Sequence, residues 1–318
     1  MNSGFKVIKS GILSLLQDGG RFGFNHLGLC NGGPMDREAF RWSNRLCSNP
    51  ENSGVLEVTI GGLVMEALGS SCVALTGADI PMQINKKWAA PWQTHLIERG
   101  DRIELGYART GMRGYLAVCG GFRCEKIFGS MSPVPRDKLG GQRQEGTAIQ
   151  VGDLLSCRTL HRLPQRYKLS EDLRPVRPQS NAQLRVVLGC QHETFGDDKK
   201  QLFFASEYTL SKDSDRTGCR LKGPAIMSSL DGIISEGICN GAIQFPPDGQ
   251  PIVLMCDRPT IGGYPKLGSV FSRDMDKLGQ LVPGSKLTFA PLDIETARLT
   301  LISHEAEFLA IEPELADS

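Results

Sequence analysis

The sequence predicts a mainly β protein composed of two β-rich halves with a few short helices. The 37 glycines and 18 prolines break the 318-residue chain into short apolar runs. Many short strands joined by Gly-rich turns favour an antiparallel sandwich or barrel over alternating strand–helix units. The length exceeds that of one typical domain, so we expect two.

Eight apolar runs of four to six residues predict strands, distributed over both halves. In chain order they are Val55–Ile60, Val73–Thr76, Asp101–Leu105, Gly114–Val118, Leu184–Leu188, Ala242–Phe245, Pro251–Met255 and Ser285–Phe289.

Three segments predict helices. Met35–Cys47 follows a Gly-Gly-Pro turn, with the proline near its first turn. Arg273–Gln280 has Ser272 as a candidate N-cap, and Ile294–Ala310 has Asp293 in the same position. The last helix either folds back on the core, which we favour, or offers a surface to a partner.

A segment rich in Arg, Pro and Gln separates the two halves. We expect a β-barrel-like half over 1–160, a connector over 161–180, a second such half over 181–291, and a C-terminal helix and tail over 292–318. Met35-Asp36-Arg37 is weakly echoed by Ser214-Asp215-Arg216, and each precedes a glycine and an apolar strand. This echo leaves a duplicated barrel open.

Composition and charge argue against several classes of partner. A formal net charge of +1 and the lack of like-charge blocks give no field suited to nucleic acid or an anionic membrane. No apolar stretch approaches the roughly 18 residues that span a bilayer, and the run 11–16 is too short for a signal peptide. We therefore expect a cytoplasmic protein whose ten cysteines are free thiols.

Familiar catalytic motifs are missing from the sequence. It has no HExxH, GxSxG or CxxC motif, and its five histidines are too scattered to predict a metal site. Gly279–Lys286 imitates a phosphate-binding loop, but Ser285 stands where that loop has lysine. The segment also lies between a helix and a strand, the reverse of the required order, so we reject it.

The first of two polar, Gly-rich clusters runs from Gln17 through Asp18 and Arg21 to Asp36. Its glycines leave backbone amides free to approach an anion or carbonyl, and Arg21 could hold a carboxylate or phosphate with two hydrogen bonds. Asp18 and Asp36 would position Arg21 or move a proton. The alternative is that Asp18 and Asn31 cap turns and Arg21 pairs at the surface.

The second cluster runs from Ser214 to Lys266. Its Pro-Asp-Gly trio predicts a turn, so Asp248 is expected to be structural. Gln250 follows the turn, and Lys266 follows two glycines, where a lysine can hold a phosphoryl oxygen or polarise an amide carbonyl. The carboxylate pairs Asp213/Asp215 and Asp274/Asp276 could bind Mg²⁺, although the second pair is better explained by the start of a helix.

These clusters carry a resemblance to a known family. The matching motifs, in order, are Gln17-Asp18-Gly-Gly-Arg21, Gly32-Gly-Pro-Met-Asp36, Asn44-Arg45-Leu46, Leu56-Glu57-Val-Thr-Ile-Gly61-Gly62, Leu75-Thr-Gly-Ala-Asp79, Tyr115-Leu-Ala-Val-Cys-Gly-Gly121, Asp215-Arg216, Gly241-Ala-Ile-Gln244, Pro247-Asp-Gly-Gln-Pro-Ile-Val-Leu-Met255 and Thr260-Ile-Gly-Gly-Tyr-Pro-Lys266. From about residue 5 to residue 290 the chain resembles the family of the 5-oxoprolinase C subunit, the KipA-type proteins and the carboxyltransferase domain of biotin-dependent urea carboxylase.

The resemblance implies a cyclophilin-like β-barrel architecture and work inside a complex. In 5-oxoprolinase the C subunit acts with an A and a B subunit, of which the KipI-like B subunit is expected to be the closest partner. The implied reaction opens 5-oxoproline to L-glutamate at the expense of ATP, with Mg²⁺ accompanying the nucleotide. Cationic groups and a base are needed for such chemistry.

Placing that chemistry on the matching motifs gives the candidate residues. Candidate catalytic residues are Lys266, Asp215, Asp36 and Glu57. Candidate substrate- or phosphate-binding residues are Arg21, Arg216, Gln250, Asn44, Gln17, Asp18, Gly262, Gly263 and Tyr264. No resident metal site is expected. One departure concerns the substrate: the family's Gly-Ser-x-Ser-Thr loop is here Gly129-Ser130-Met131-Ser132 followed by Pro133.

Two other functions fit the same resemblance. One is a carboxyltransferase acting on urea or a similar amide, which would need biotin on a partner because this chain lacks the biotinyl Ala-Met-Lys-Met motif. The other is a non-catalytic KipA-type protein that antagonises a kinase inhibitor.

Overall fold

A computed structural model describes residues 4–157, 165–176 and 180–316, and these form two compact units. Unit 1 contains residues 4–22, 32–157, 165–176 and 313–316, and unit 2 contains 23–31 and 180–312. The predicted connector falls partly on 158–164 and 177–179, outside the described residues.

Unit 1 consists of short strands around one helix. Its strands are β1 (Gly4–Ser10), β2 (Leu13–Gln17), β3 (Val55–Thr59), β4 (Leu63–Ala67), β5 (Ser71–Gly77), β6 (Met82–Ile84), β7 (Lys87–Ala89), β8 (Thr94–Ile97), β9 (Arg102–Leu105), β10 (Arg113–Val118), β11 (Phe122–Arg123), β12 (Leu154–Cys157) and β13 (Tyr167–Lys168). The helix is α1 (Arg37–Leu46).

Two antiparallel sheets form the framework of unit 1. One has the order β11-β12-β1-β4-β9-β6-β7, and the other has the order β2-β3-β10-β5-β8. Side chains from both sheets, including Phe5, Leu56, Val73 and Leu116, share one buried core. Strands β3 and β10 are buried at every position, as expected for strands covered on both faces.

Unit 2 is a barrel with three helices among its described residues. Its strands are β14 (Asn181–Leu188), β15 (Tyr208–Leu210), β16 (Gly218–Lys222), β17 (Glu236–Gly237), β18 (Ala242–Gln244), β19 (Ile252–Leu254), β20 (Ile261–Gly262), β21 (Lys266–Val270) and β22 (Lys286–Pro291). The helices are α2 (Asp197–Ala205), α3 (Ser272–Gln280) and α4 (Ile294–Ala310).

The barrel closes in the order β14-β21-β18-β19-β16-β15-β22, and β17 and β20 form a separate two-stranded ribbon. Aromatic rings fill part of the barrel, with Phe203 stacked on Phe289 at 4.5 Å and edge-on to Phe245 at 5.7 Å. The last strand, β23 (Glu314–Leu315), pairs with β13 in unit 1.

The structure confirms the mainly β prediction, and each of the eight predicted strands overlaps an observed one. Asp293 caps α4 as expected, because its carboxylate accepts a hydrogen bond from the Thr296 amide. The predicted cap of α3 is wrong, since Ser272 lies inside the helix and Phe271 takes the cap position without a side-chain bond. Helix α2 was not predicted.

Helix α4 folds back on the core less than expected. Phe308 and Ala297 are its buried residues, whereas Leu301 and Leu309 remain 40% and 62% exposed. No helix among the described residues is long and apolar enough to cross a membrane.

The cysteine prediction is corrected at one position. Cys72 on β5 and Cys119 just after β10 form a disulfide, with their Cα atoms 5.2 Å apart. The other eight cysteines are thiols outside any disulfide, as predicted. Spacing in the sequence could not reveal this pair, because the strands that bring the two residues together lie 47 residues apart.

Candidate functional site

In unit 1, Arg21 is a buried side chain that holds a loop. It is 1% exposed, so the expected surface pairing does not occur. Its guanidinium donates from Nε to the Ile127 carbonyl at 3.0 Å and from Nη2 to the carbonyls of Ser130 and Ser132 at 3.3 Å each. Arg21 therefore fixes the loop in which this sequence departs from the family pattern.

Asp18 anchors the same loop from the other side. Its Oδ1 accepts hydrogen bonds from the hydroxyls of Ser130 and Ser132 at 2.5 and 2.9 Å, and its Oδ2 accepts from the Met131 amide at 3.0 Å. The Lys126 ammonium lies 3.5 Å from Oδ2. Asp18 also caps the turn at Gly20, as one interpretation of the sequence expected.

Asp36 and Glu57 belong to a fully buried polar network beside α1. Asp36 is the N-cap of α1, with its Oδ1 accepting from the Ala39 amide at 3.0 Å. Glu57 Oε2 accepts from the Met35 amide at 2.9 Å and from the Tyr115 hydroxyl at 2.8 Å. Burial, reinforced by the charges of Glu57 and Asp36, raises the pKa of the Tyr115 hydroxyl well above its usual value, which keeps it a donor.

Gln17 and Asn44 are also completely buried in unit 1. Gln17 Oε1 accepts from the Gly33 amide at 3.1 Å, which holds the Gly-Gly-Pro turn before α1. Asn44 Nδ2 donates to the carbonyls of Glu51 and Ser53 at 3.1 Å each and so fixes the loop that follows α1.

In unit 2, Arg216 forms a buried two-bond ion pair with Asp257. Nε and Nη2 each lie 2.9 Å from a carboxylate oxygen of Asp257. The neighbouring Asp215 is exposed, and its Oδ1 accepts from the amides of Thr217 and Gly218 in the turn before β16. Both side chains thereby fix the connection between β15 and β16.

Gln250 and Asp248 stabilise the turn between β18 and β19. The Gln250 side chain accepts from the Gly223 amide and donates to the Gly223 carbonyl, both at 3.0 Å, as a neighbouring strand would. Asp248 Oδ1 accepts from the Gln250 amide at 3.0 Å, in keeping with the structural role predicted for it. Gln250 also lines a cavity of about 270 Å³ that includes Tyr264 and Asp213.

Lys266 lines a different cavity of unit 2, which we call the Lys266 cavity. Its volume is about 310 Å³. It is lined by Gly189, Cys190, Gln191, Glu236, Gly237, Cys239, Ala242, Lys266, Gly268 and Ser269. These residues lie on the barrel strands β18 and β21, on the ribbon strand β17, and in the segments that follow β14 and β17.

Within the Lys266 cavity, three side chains hold one another in place. The Lys266 ammonium is paired with Glu236 Oε1. Gln191 donates a hydrogen bond from Nε2 to Glu236 Oε1 at 2.7 Å. Its Oε1 accepts a hydrogen bond from the Lys266 backbone amide at 2.9 Å. A cation that can polarise a carbonyl oxygen thus lies beside a carboxylate, half exposed, that can take a proton from water.

Gly262 ends the ribbon strand β20, where it pairs with Glu236 of this cavity, and Gly263 follows it. A Cβ atom at Gly262 would fall 2.4 Å from Ile238 Cδ1 and 2.5 Å from Gln244 Nε2, so the close packing of these side chains explains the glycine. Gln244 is 5% exposed, and among the described residues its Nε2 has no hydrogen-bond acceptor.

Comparison with known proteins shows that the chain matches a protein family. The carboxyltransferase domain, subdomain A and B, matches residues 27–291. The chain belongs to the carboxyltransferase-domain family. It is 32% identical to the 5-oxoprolinase C subunit of Haemophilus influenzae over 89% of both chains, and 33% identical to that of Escherichia coli over 92% of both.

Other similar proteins are much longer than this chain. The putative urea carboxylase of Emericella nidulans is 30% identical, and the match covers 92% of this chain but 24% of that protein. The K. lactis urea amidolyase structure superposes with a TM-score of 0.91 and 26% identity over 100% of this chain and 20% of its own. The structure of TTHA0988 gives a TM-score of 0.80 at 31% identity, and this chain spans 55% of it.

Family motifs pointed to Lys266 but not to the side chains around it. Glu236, Gln191, Cys239 and Ser269 line the same cavity and lie outside the predicted site. Glu236 occupies a two-residue strand without a periodic pattern, and Gln191 lies 75 residues before Lys266 in the sequence. Their functional signal is their position opposite Lys266, which only the closed barrel reveals.

Proposed function

We propose that this chain is the C subunit of a 5-oxoprolinase, acting with A and B subunits to open 5-oxo-L-proline to L-glutamate at the expense of ATP. The observation that carries the proposal is that the similarity covers nearly the full length of both proteins. The two 5-oxoprolinase C subunits cover 89% and 92% of this chain and are themselves covered to the same degree. A protein of the same size and family fits the same place in a complex.

The Lys266 cavity supports the proposed reaction chemically. A five-membered lactam is a poor electrophile, so its carbonyl carbon must be activated before water attacks. In this proposal Lys266 binds the carbonyl or phosphoryl oxygen on which negative charge develops, and its neighbour Glu236 accepts a proton from water. Gln191 would keep both groups aligned.

The three cations predicted to hold phosphate offer a nucleotide little support. Of the three cations predicted to hold phosphate, Arg21 donates to loop carbonyls and Arg216 is paired with Asp257, while Lys266 lines a cavity. One lysine in a cavity of about 310 Å³ suits a single phosphoryl or carbonyl group better than a triphosphate with its Mg²⁺. We therefore propose that a partner subunit binds ATP and that this chain receives the lactam.

A carboxyltransferase acting on urea or a similar amide is the second candidate, favoured by the similarity to urea carboxylase and urea amidolyase. Lys266 could equally polarise the carbonyl oxygen of such an amide. This reaction requires biotin on a partner, because this sequence has no biotinyl attachment motif.

The proposal is tested by mixing the chain with its presumptive A and B subunits and measuring glutamate release from 5-oxoproline coupled to ATP hydrolysis. Lys266→Met keeps an unbranched side chain, one atom shorter, but removes its charge, and we expect it to lower kcat at least 100-fold. Lys286→Met is the matched control, since Lys286 lines another cavity of unit 2 and pairs with Glu207. It should retain full turnover.

Turnover that persists when this chain is omitted would reject the catalytic role. Co-purification with the B subunit without any turnover would then favour a KipA-type antagonist. Turnover of urea only when a biotinylated partner is supplied would favour the carboxyltransferase. Equal losses in Lys266→Met and Lys286→Met would show that the Lys266 cavity is not the reaction site.

A further inference from the structure

Three cysteines of unit 1, which we call the cysteine cluster, converge on one buried point. Cys47 is the C-cap of α1, Cys72 lies on β5, and Cys119 directly follows β10. Their Sγ atoms all lie within 4.8 Å of one another, and the three residues are 2%, 0% and 1% exposed in that order. Three separate elements of the fold thus bring three sulfur atoms together.

The spacing of these sulfur atoms suits a bound metal ion. A zinc–thiolate bond is about 2.3 Å long, so three sulfurs around one ion lie roughly 4 Å apart. Cys72 and Cys119 are bonded to each other in this structure, and reduction of that bond frees both sulfurs to take up this spacing beside Cys47. No other Asp, Glu, His or Cys among the residues that the structure describes belongs to the group, so the protein ligands would all be sulfur.

Hydrogen bonds on both sides of Cys47 hold the end of α1 against the sheet. Thr94 Oγ1 on β8 donates to the carbonyl of the residue before Cys47 at 2.6 Å. Asn49 donates from Nδ2 to the carbonyl of the residue before Cys119 at 2.8 Å, and its Oδ1 accepts from the amide of the residue after Cys119 at 2.7 Å. None of these bonds involves the disulfide, so the backbone around the cysteine cluster stays in place when the disulfide is reduced.

We propose that the reduced cysteine cluster binds one thiophilic metal ion, of which Zn²⁺ and Cu⁺ are the common biological examples. Thiolate ligands select such ions, whereas Mg²⁺ and Ca²⁺ prefer oxygen. A buried thiol gives up its proton when a cation takes the proton's place, so protons leave to solvent as the metal ion enters. The bound ion would join α1, β5 and the end of β10 through one centre.

The disulfide and the metal ion exclude each other. When the metal-bound cluster is oxidised, the thiolates of Cys72 and Cys119 give two electrons to a small-molecule disulfide. The Cys72–Cys119 bond forms, and the small molecule is split into two thiolates that take up protons from water, while the metal ion leaves. An excess of a dithiol reverses the reaction. In the oxidised state Cys47 remains a thiol, which is too few ligands to hold the ion.

The test titrates the full chain with Cd²⁺, before reduction and after reduction followed by removal of the reductant under anaerobic conditions. Sulfur-to-cadmium charge transfer in the ultraviolet reports thiolate binding, and a competing chelator suppresses weak binding by isolated thiols. We expect one tightly bound Cd²⁺ per reduced chain and none per oxidised chain. Zn²⁺ and Cu⁺ should displace Cd²⁺, and the order of their affinities identifies the preferred ion. Mg²⁺ should not compete.

Two variants separate a metal site from general thiol binding. Cys47→Ser keeps the disulfide available for folding, and it should lower the affinity of the reduced chain for Cd²⁺ by a factor of about 100 or more. Cys157→Ser is the matched control, since Cys157 is also a buried thiol of unit 1 but lies outside the cysteine cluster, and it should bind like wild type.

Three outcomes would overturn the proposal: wild-type affinity in Cys47→Ser, equal losses in both variants, or equal binding before and after reduction. X-ray absorption of the Cd²⁺-loaded wild-type chain should show three sulfur neighbours, and a shell of oxygen or nitrogen in their place would contradict the assignment. The readout needs neither ATP nor partner subunits, so its failure is independent of the proposed enzyme function.

Discussion

At the scale of single residues, Arg21 illustrates how a motif residue can serve the fold. Its guanidinium satisfies carbonyls of Ile127, Ser130 and Ser132, which lie more than a hundred residues further along the chain. The sequence identified Arg21 as an important polar residue. It could not identify the acceptors, because the loop that supplies them carries no pattern that pairs it with residue 21.

The first prediction concerns Arg21→Ala. The substitution leaves buried carbonyls without donors, so we expect a loss of about 3 kcal/mol in the free energy of unfolding. Urea denaturation followed by circular dichroism measures it. Arg99→Ala, in an exposed turn, is the matched control and should change stability by less than about 0.5 kcal/mol. A stable Arg21→Ala variant that lacks only substrate binding would instead support the ligand-binding role.

At the scale of secondary-structure elements, Asp274 ties α3 to β14. Its carboxylate accepts from the Arg185 amide, Nε and Nη2, each at 2.8 Å, and pairs with Lys277 at 2.9 Å. Burial by itself would raise the pKa of Asp274, but these bonds outweigh it and lower the pKa below its usual value. The sequence analysis explained this carboxylate by its position at the start of a helix, and that explanation was incomplete.

This geometry predicts how stability depends on pH. The pKa of Asp274 is lower in the folded than in the unfolded chain, where it is about 3.9. The stabilisation of the folded protein by the Asp274 carboxylate is thus complete above about pH 5 and is lost as the pH falls below about 4. Asp274→Asn should cost about 2 kcal/mol near pH 7, and the difference from wild type should shrink in acid denaturation below pH 4. Asp172→Asn, at an exposed site, should not destabilise the protein at pH 7.

The disulfide between Cys72 and Cys119 fastens β5 to β10 in the buried sheet of unit 1. After denaturation without reductant, a thiol reagent should therefore titrate eight of the ten cysteines, and all ten after reduction. Closing a loop of this length stabilises by about 4 kcal/mol in the chain-entropy description. Ten reactive thiols before reduction would show that the pair is reduced in the native protein.

Strands were predicted better than helices for a physical reason. The runs that became β3, β5 and β10 are buried along their whole length or nearly so, and a buried strand shows as a continuous apolar run. Helix α2 has a single buried residue, Phe203. The residue at its N-cap is a glycine, which has no side chain to cap the helix. Neither an apolar stripe nor a capping signal marked it, so the sequence did not distinguish it from a loop.

At the scale of the whole molecule, composition could not predict which stretches of the chain belong to which unit. Residues 23–31 belong to unit 2 although they lie in the N-terminal half, and 313–316 belong to unit 1. The Asn31–Arg258 hydrogen bond, across 227 residues, shows why, since it connects the early segment to the buried cation of unit 2. A division of the sequence at one proline-rich connector cannot assign these two segments to the correct units.

The division into units leads to the last prediction. A fragment of residues 180–312 lacks the segment 23–31, so Arg258 loses its acceptor on Asn31 and part of its cover. We expect this fragment to unfold at lower urea concentration than unit 2 does within the full chain. In the full chain, Asn31→Ala removes the side-chain acceptor of Arg258 together with the side-chain hydrogen bonds to Asn25, and it should cost about 2 kcal/mol. Adding a synthetic peptide of residues 23–31 to the fragment should recover part of the stability, whereas a scrambled peptide should not, because the recovery depends on placing Asn31 against Arg258. A fragment as stable as the intact chain would show that the early segment contributes nothing to unit 2.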